Sequence, residues 1–134
     1  MRYRRSILGG AAAVLAACSG IPAAQAAVSI SNKPTENMSC DAGVCTATAP
    51  KAVLNVGDLQ TMLASGDVSV KTGGVALNIE IIAPLTWASL SRLALDAQQS
   101  IFVKKPIIVG GKGGVTLAYD TAIGDLHFVD KGSI

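Results

Sequence analysis

The chain has 134 residues, 11 of them Lys or Arg against 9 Asp or Glu, with half its residues apolar and 4% aromatic. That length sets one small domain as the limit, and so few aromatic and basic residues exclude base stacking or a phosphate-tracking stripe, so no nucleic-acid partner is expected. Beyond the N-terminal segment no stretch reaches the roughly 18 apolar residues of a membrane-spanning helix.

Residues 1–26 read as a secretory signal peptide. Arg2, Arg4 and Arg5 form the basic start, residues 7–17 the apolar stretch, and Pro22 followed by Ala24-Gln25-Ala26 a small-residue cleavage site between Ala26 and Ala27. The run Tyr3-Arg4-Arg5-Ser6-Ile7-Leu8 also resembles a twin-arginine signal. A second site competes: Leu15-Ala16-Ala17-Cys18 resembles the lipobox of bacterial lipoproteins, in which the cysteine becomes the lipidated N-terminus. Ordinary cleavage after Ala26 is favoured, because a lipoprotein requires neither Pro22 nor the Ala-x-Ala site. With three of the 11 basic residues in the leader, eight remain against nine acids, so the basicity is an address and the exported part carries net −1.

Residues 27–50, rich in Ser, Thr, Ala and Asn, read as a flexible leader. They hold Cys40 and Cys45, separated by Asp41-Ala42-Gly43-Val44. In an exported chain a local disulfide is the expected pairing. Closing so short a loop contributes about 2 kcal/mol on the chain-entropy estimate. Zinc is excluded by ligand count, since four ligands are needed and the chain has one His. A thioredoxin-type redox pair is excluded by spacing, which there is two intervening residues.

Residues 51–66 read as an N-terminal cap. A strand at Ala52-Val53-Leu54-Asn55-Val56 leads into a short helix capped by Asp58, with Leu59, Met62 and Leu63 on one face and Gly66 at its end. A stacked fold leaves the apolar cross-section of its first coil open, and this helix is placed to cover it.

Residues 67–134 carry an internal repeat. Asn78 to Trp87 lies on Ser100 to Val109 at an offset of 22 without a gap, so Ile79 falls on Ile101, Ile81 on Val103, Pro84 on Pro106, Leu85 on Ile107 and Trp87 on Val109. Val68-Ser69-Val70 recurs as Leu93-Ala94-Leu95 and again as Val115-Thr116-Leu117, and Ile101-Phe102-Val103 recurs as Leu126-His127-Phe128. Short alternating strands repeated at 22–25 residues, with no helical period, predict an all-β right-handed parallel β-helix, or β-solenoid, of about three coils. Val68, Val70, Ile79, Ile81, Leu85, Leu93, Leu95, Ile101, Val103, Ile107, Val109, Val115, Leu117, Leu126 and Phe128 then point inward, with Trp87 among them as a core residue. Pro84 and Pro106 mark corners, and the glycine pairs at 73–74, 110–111 and 113–114 mark turns.

The outward columns decide about chemistry. Acid/base catalysis needs groups a few ångströms apart, whereas the register sets Glu80 beside Phe102 and then His127, and Lys71 beside Asp96 and then Ala118. Asp96 and Lys71 read as a surface ion pair, His127 as a surface histidine, and Lys104-Lys105 as charges that keep an edge soluble. Gly110-Gly111-Lys112-Gly113-Gly114 lacks the Gly-Lys-Ser/Thr ending of a phosphate loop and leads into a strand. No catalytic, cofactor-binding or metal-binding residue is expected.

The phrases Ala52-Val53-Leu54-Asn55-Val56-Gly57-Asp58-Leu59, Leu85-Thr86-Trp87-Ala88-Ser89, Arg92-Leu93-Ala94-Leu95-Asp96-Ala97, Lys105-Pro106-Ile107-Ile108-Val109 and Gly114-Val115-Thr116-Leu117 follow one another in an order that resembles the N-terminal part of large β-strand-repeat proteins of the filamentous-haemagglutinin and autotransporter-adhesin type. The resemblance covers residues 40–134. It implies export, a right-handed β-helix and a non-enzymatic role in adhesion or cell contact at the bacterial surface. Against that pattern the chain stops at Lys131-Gly132-Ser133-Ile134, part-way through a coil, so it reads as a fragment of a larger adhesin. The partners expected are the secretion machinery, an undefined ligand on a host or neighbouring cell, and further copies joined through the open last coil. Two alternatives stand beside this reading: an outer-membrane lipoprotein anchored through Cys18, and a carbohydrate-active β-helix enzyme with acids gathered on one face.

Overall fold

A computed structural model describes residues 26–129 and 131–134. Residues 1–25, which hold Cys18 and all but the last residue of the expected signal peptide, lie outside the described residues. The described residues form a parallel β-helix of about four turns with one α-helix. Its elements are β1 (Ala27–Ser31), β2 (Met38–Asp41), β3 (Val44–Ala47), β4 (Lys51–Asn55), α1 (Val56–Ser65), β5 (Val68–Lys71), β6 (Asn78–Ile81), β7 (Leu85–Trp87), β8 (Arg92–Asp96), β9 (Ile101–Val103), β10 (Ile107–Val109), β11 (Gly114–Ala118) and β12 (Leu126–Phe128).

Three sheets form the walls. One runs β4-β1-β6-β9-β12, the second β2-β3-β5-β8-β11, and the third pairs β7 with β10. Every pair is parallel except the β2–β3 hairpin. The register is the one written in the repeat: Ile79 pairs with Ile101, Leu85 with Ile107, Leu93 with Val68 and Val115, and Ile101 with Leu126. Period-2 alternation sends every second side chain inward, and Ile79, Ile81, Leu85, Leu93, Leu95, Ile101 and Val103 are fully buried as a result. Trp87 is buried with them, its indole N–H donating to the Ser91 carbonyl at 3.0 Å.

The expectation of a flexible leader over residues 27–50 is corrected. β1 is an interior strand, hydrogen-bonded to β4 on one side and β6 on the other, with Val28 and Ile30 fully buried. Alternating Val28 and Ile30 supply two more inward positions, and burying them outweighs the polar composition around them. The additional strands account for a fourth turn where the repeat alone suggested three.

The stack is closed at the β4 end. The outer edge of β4 pairs with Glu36, whose N–H and carbonyl exchange 2.8 Å bonds with Val53. Thr35 Oγ1 accepts from Asn55 N and Asn37 Nδ2 donates to the Lys51 carbonyl, so the 32–37 loop covers an edge that would otherwise template pairing. The helix stands beside the third sheet, in the place of a strand next to β7. There Gln60 Oε1 accepts from Thr86 N at 3.1 Å and Ser89 Oγ donates to the Leu63 carbonyl at 2.6 Å, while Leu59 and Leu63 are fully buried.

Asn55, and not Asp58, is the N-cap: its side-chain oxygen accepts from Asp58 N at 3.0 Å. Asp58 sits in the first turn and accepts from Thr35 Oγ1 at 2.7 Å. The amide of Asn55 also donates to the carbonyls of Asn32 and Lys33. Asn55→Ala removes both sets of bonds and is expected to cost about 1–2 kcal/mol, read as a lower thermal midpoint with the native circular dichroism retained.

Glycines at the last corners are fixed by proximity. A Cβ on Gly113 would collide with the Ser91 carbonyl and lie 2.9 Å from the Trp87 indole nitrogen, so successive coils approach there only without a side chain. Burial falls off toward the opposite end. Val109, Val115, Leu117 and Leu126 are partly buried and Phe128 is 52% exposed, so Phe128 is not the enclosed core residue that alternation alone implied.

Candidate functional site: the outward ladders

Side chains that face solvent stack in register on each wall. On the β4-β1-β6-β9-β12 sheet one outward row reads Ser29, Glu80, Phe102, His127. Phe102 and His127 lie ring on ring, with centroids 4.8 Å apart and planes within 6°. Lys104 reaches diagonally to Glu80 Oε1 at 3.4 Å and sits 5.9 Å from the Phe102 ring centre. His127 Nε2 is 3.8 Å from Asp125 Oδ2, beyond hydrogen-bond length, with Asp125 largely exposed.

This row is the richest cluster of functional groups described, and its spacing decides what it can do. Glu80 and His127 are two strands apart, about 9–10 Å at the normal inter-strand distance, with the Phe102 ring between them. Proton transfer between them is therefore excluded in this arrangement. One Phe102 face is taken by His127, so that face is no platform for a sugar.

The register sets Lys104 on the face of Glu80 and Asp125 on the face of His127, although it does not fix whether these side chains reach one another. Residues two apart on a strand share a face, which places Asp125 with His127, and the 22-residue register places Lys104 diagonal to Glu80. Lys71 and Asp96 are register partners, as expected, but no ion pair within 4 Å joins them. On the β2-β3-β5-β8-β11 sheet the outward row Ser69, Ala94, Thr116 is small and uncharged, with Arg92 Nη1 donating to Thr116 Oγ1 at 3.3 Å.

Cys40 and Cys45 face each other across the β2–β3 hairpin and are joined by a disulfide, with Cα atoms 4.0 Å apart. Both central turn residues, Ala42 and Gly43, have positive φ, the pattern of a tight hairpin turn. The disulfide closes the hairpin on itself, and Cys45 is buried with its Sγ 3.8 Å from Met62 Sδ, a packing contact that sets the hairpin against α1.

Two shallow grooves flank α1. One of about 410 Å³ is lined by Ala42, Gly43, Met62, Ser65 and Asp67, and one of about 360 Å³ by Thr35, Cys40, Asp58 and Met62. Asp67 Oδ1 already accepts from Arg92 N at 2.8 Å and Asp58 from Thr35, so neither groove offers a free catalytic pair. Among the described residues no group of three His, Cys, Asp or Glu is placed to hold a metal ion. The chain matches no protein-family model, no curated protein and no solved structure.

Proposed function

We propose that the chain is a non-enzymatic, exported β-helix of the bacterial surface-adhesin type, presenting its outward ladders for contact with a ligand on another cell. The dispersal of the titratable groups supports this reading most: Glu80 is held by Lys104, and an aromatic ring separates it from His127. A hairpin locked by a disulfide suits an oxidising compartment. The half-exposed Phe128 and the partly buried Val115 and Leu117 on the last described strands are apolar surface suited to contact with further copies.

Protease treatment of intact cells tests it. The surface reading expects the chain to be lost from intact cells or recovered in the medium; detection only in the cytoplasm, protected until lysis, would sink it. A second reading, a lipoprotein anchored through Cys18, is favoured by the run Leu15-Ala16-Ala17-Cys18.

A further inference from the structure

At the capped end of the stack one strand edge has a partner and the other has none. The 32–37 loop covers β4, whereas β2, the terminal strand of the second sheet, has only β3 beside it and is exposed from Ser39 to Asp41. The hydrogen-bonding phase of this hairpin is fixed. Thr48 N–H donates to the Asn37 carbonyl at 2.8 Å, so bonded pairs alternate from there: Ser39 with Thr46 and Asp41 with Val44 exchange bonds, while Met38 with Ala47 and Cys40 with Cys45 do not. The 4.0 Å between the Cys40 and Cys45 Cα atoms is the close approach of a non-bonded pair. The N–H and carbonyl groups of Met38 and Cys40 therefore point away from β3, and no backbone group among the described residues pairs with them.

A groove of about 360 Å³ opens beside that edge, lined by Cys40 with Thr35, Leu54, Asp58, Thr61 and Met62. Leu54 and Met62 give it an apolar lining and Asp58 a carboxylate, of which Oδ2 accepts from Thr35 Oγ1 at 2.7 Å. The neighbouring groove adds Asp67, and Lys33 and Lys51, the lysines of this end, are in neither lining. Cys40 shares the inward face with buried Cys45. A residue paired opposite Cys40 would share that face too and meet the groove.

We infer that the edge of β2 takes an extended, basic segment of another polypeptide as an added antiparallel strand. Met38 and Cys40 each exchange both their backbone bonds with the residue opposite. The residue opposite Cys40 is Lys or Arg, whose aliphatic stem lies on Leu54 and Met62 while its charged head reaches Asp58. The disulfide holds β2 in place before the partner arrives, so little order has to be gained on binding. This edge is separate from the outward ladders, and binding there is independent of them.

Hydrogen exchange and fluorescence anisotropy on the folded chain, with end-blocked fluorescent peptides of alternating lysine and valine as the probe, test this. The peptide is expected to bind and to protect the Met38 and Cys40 amides, leaving those of Ser39 and Asp41 as they were. N-methylation of the lysine amides, which face β2, is expected to abolish binding, and N-methylation of the valine amides to leave it. Asp58→Asn keeps an oxygen for Thr35 but loses the charge, and is expected to weaken binding about tenfold. Absence of binding, equal binding of the lysine-methylated peptide, or unchanged affinity in Asp58→Asn would each overturn the inference. Met38 and Cys40 amides as protected as Ser39 and Asp41 without any peptide would overturn it as well, since another segment would already hold the edge.

Discussion

Ile30→Asp is expected to abolish cooperative folding. Ile30 is fully buried in β1, between Leu54 of β4 and Ile81 of β6, so the substitution loses a buried aliphatic side chain and inserts an unpaired carboxylate among apolar neighbours. The first loss is about 2–5 kcal/mol by analogy with large-to-small core changes. Burying the polar group adds several more unless the carboxyl stays protonated. A small domain is stable by only about 5–15 kcal/mol, so the two together reach the scale of the whole. The contrast is Ser29→Lys, one residue away on the outward face and opposite Glu80, which is expected to leave the thermal midpoint nearly unchanged. Circular dichroism melts of the two variants measure this, and equal tolerance of both would mean that β1 does not belong to the wall.

Leu95→Ala is expected to cost about 2–5 kcal/mol, and Phe128→Ala about 1 kcal/mol or less. Both side chains point inward by alternation, and both lie in register columns. Leu95 is enclosed between Val70 and Leu117 on neighbouring strands and is fully buried, so its removal leaves a cavity. Phe128 lies on the last strand of its sheet with Val103 on one side only, and half its surface already meets water. The gradient between them, read from urea unfolding midpoints at constant slope, measures how far burial falls off along the stack.

Much of this architecture is written in the sequence, and the reason is geometric. A solenoid places residue i beside residue i plus one coil, so an offset of 22 or 25 residues is itself a strand register, and the pairs Ile79 with Ile101 and Leu93 with Val115 follow directly. The same rule applies to the N-terminal strand: Val28 lies on Ala52 and Ile30 on Leu54 at an offset of 24, inside the range of the repeat. The polar residues around 27–31 obscured that signal. The order of strands at this end is not legible. β4 follows β1 in the chain yet lies outside it, leaving β1 to pair with β6, and no offset of like residues encodes such a reversal. Glu36 indicates why the arrangement holds, since the 32–37 loop returns to cover the outer edge of β4.

The outward surface was less readable. Register alone places Glu80, Phe102 and His127 in one row, but the reach of Lys104 across to Glu80 depends on a long side chain choosing a diagonal partner. Lys71 chose none, although Asp96 stands opposite it. Exposed charges in water gain little from pairing, so position in the register is a weak guide to which surface pairs form. Asn55 displaced Asp58 as the helix cap for a related local reason: its side chain serves the Asp58 N–H and the 32–37 loop together.

The parallel stack with β1 inside it is tested most directly by methyl–methyl nuclear Overhauser contacts in the folded chain. The expected result is one unbroken ladder on the inner face of the first sheet, from Val28 to Ile79, from Ile79 to Ile101 and from Ile101 to Leu126. A folded chain in which Val28 shows no contact with Ile79, or in which Ile101 contacts neither Ile79 nor Leu126, would contradict it.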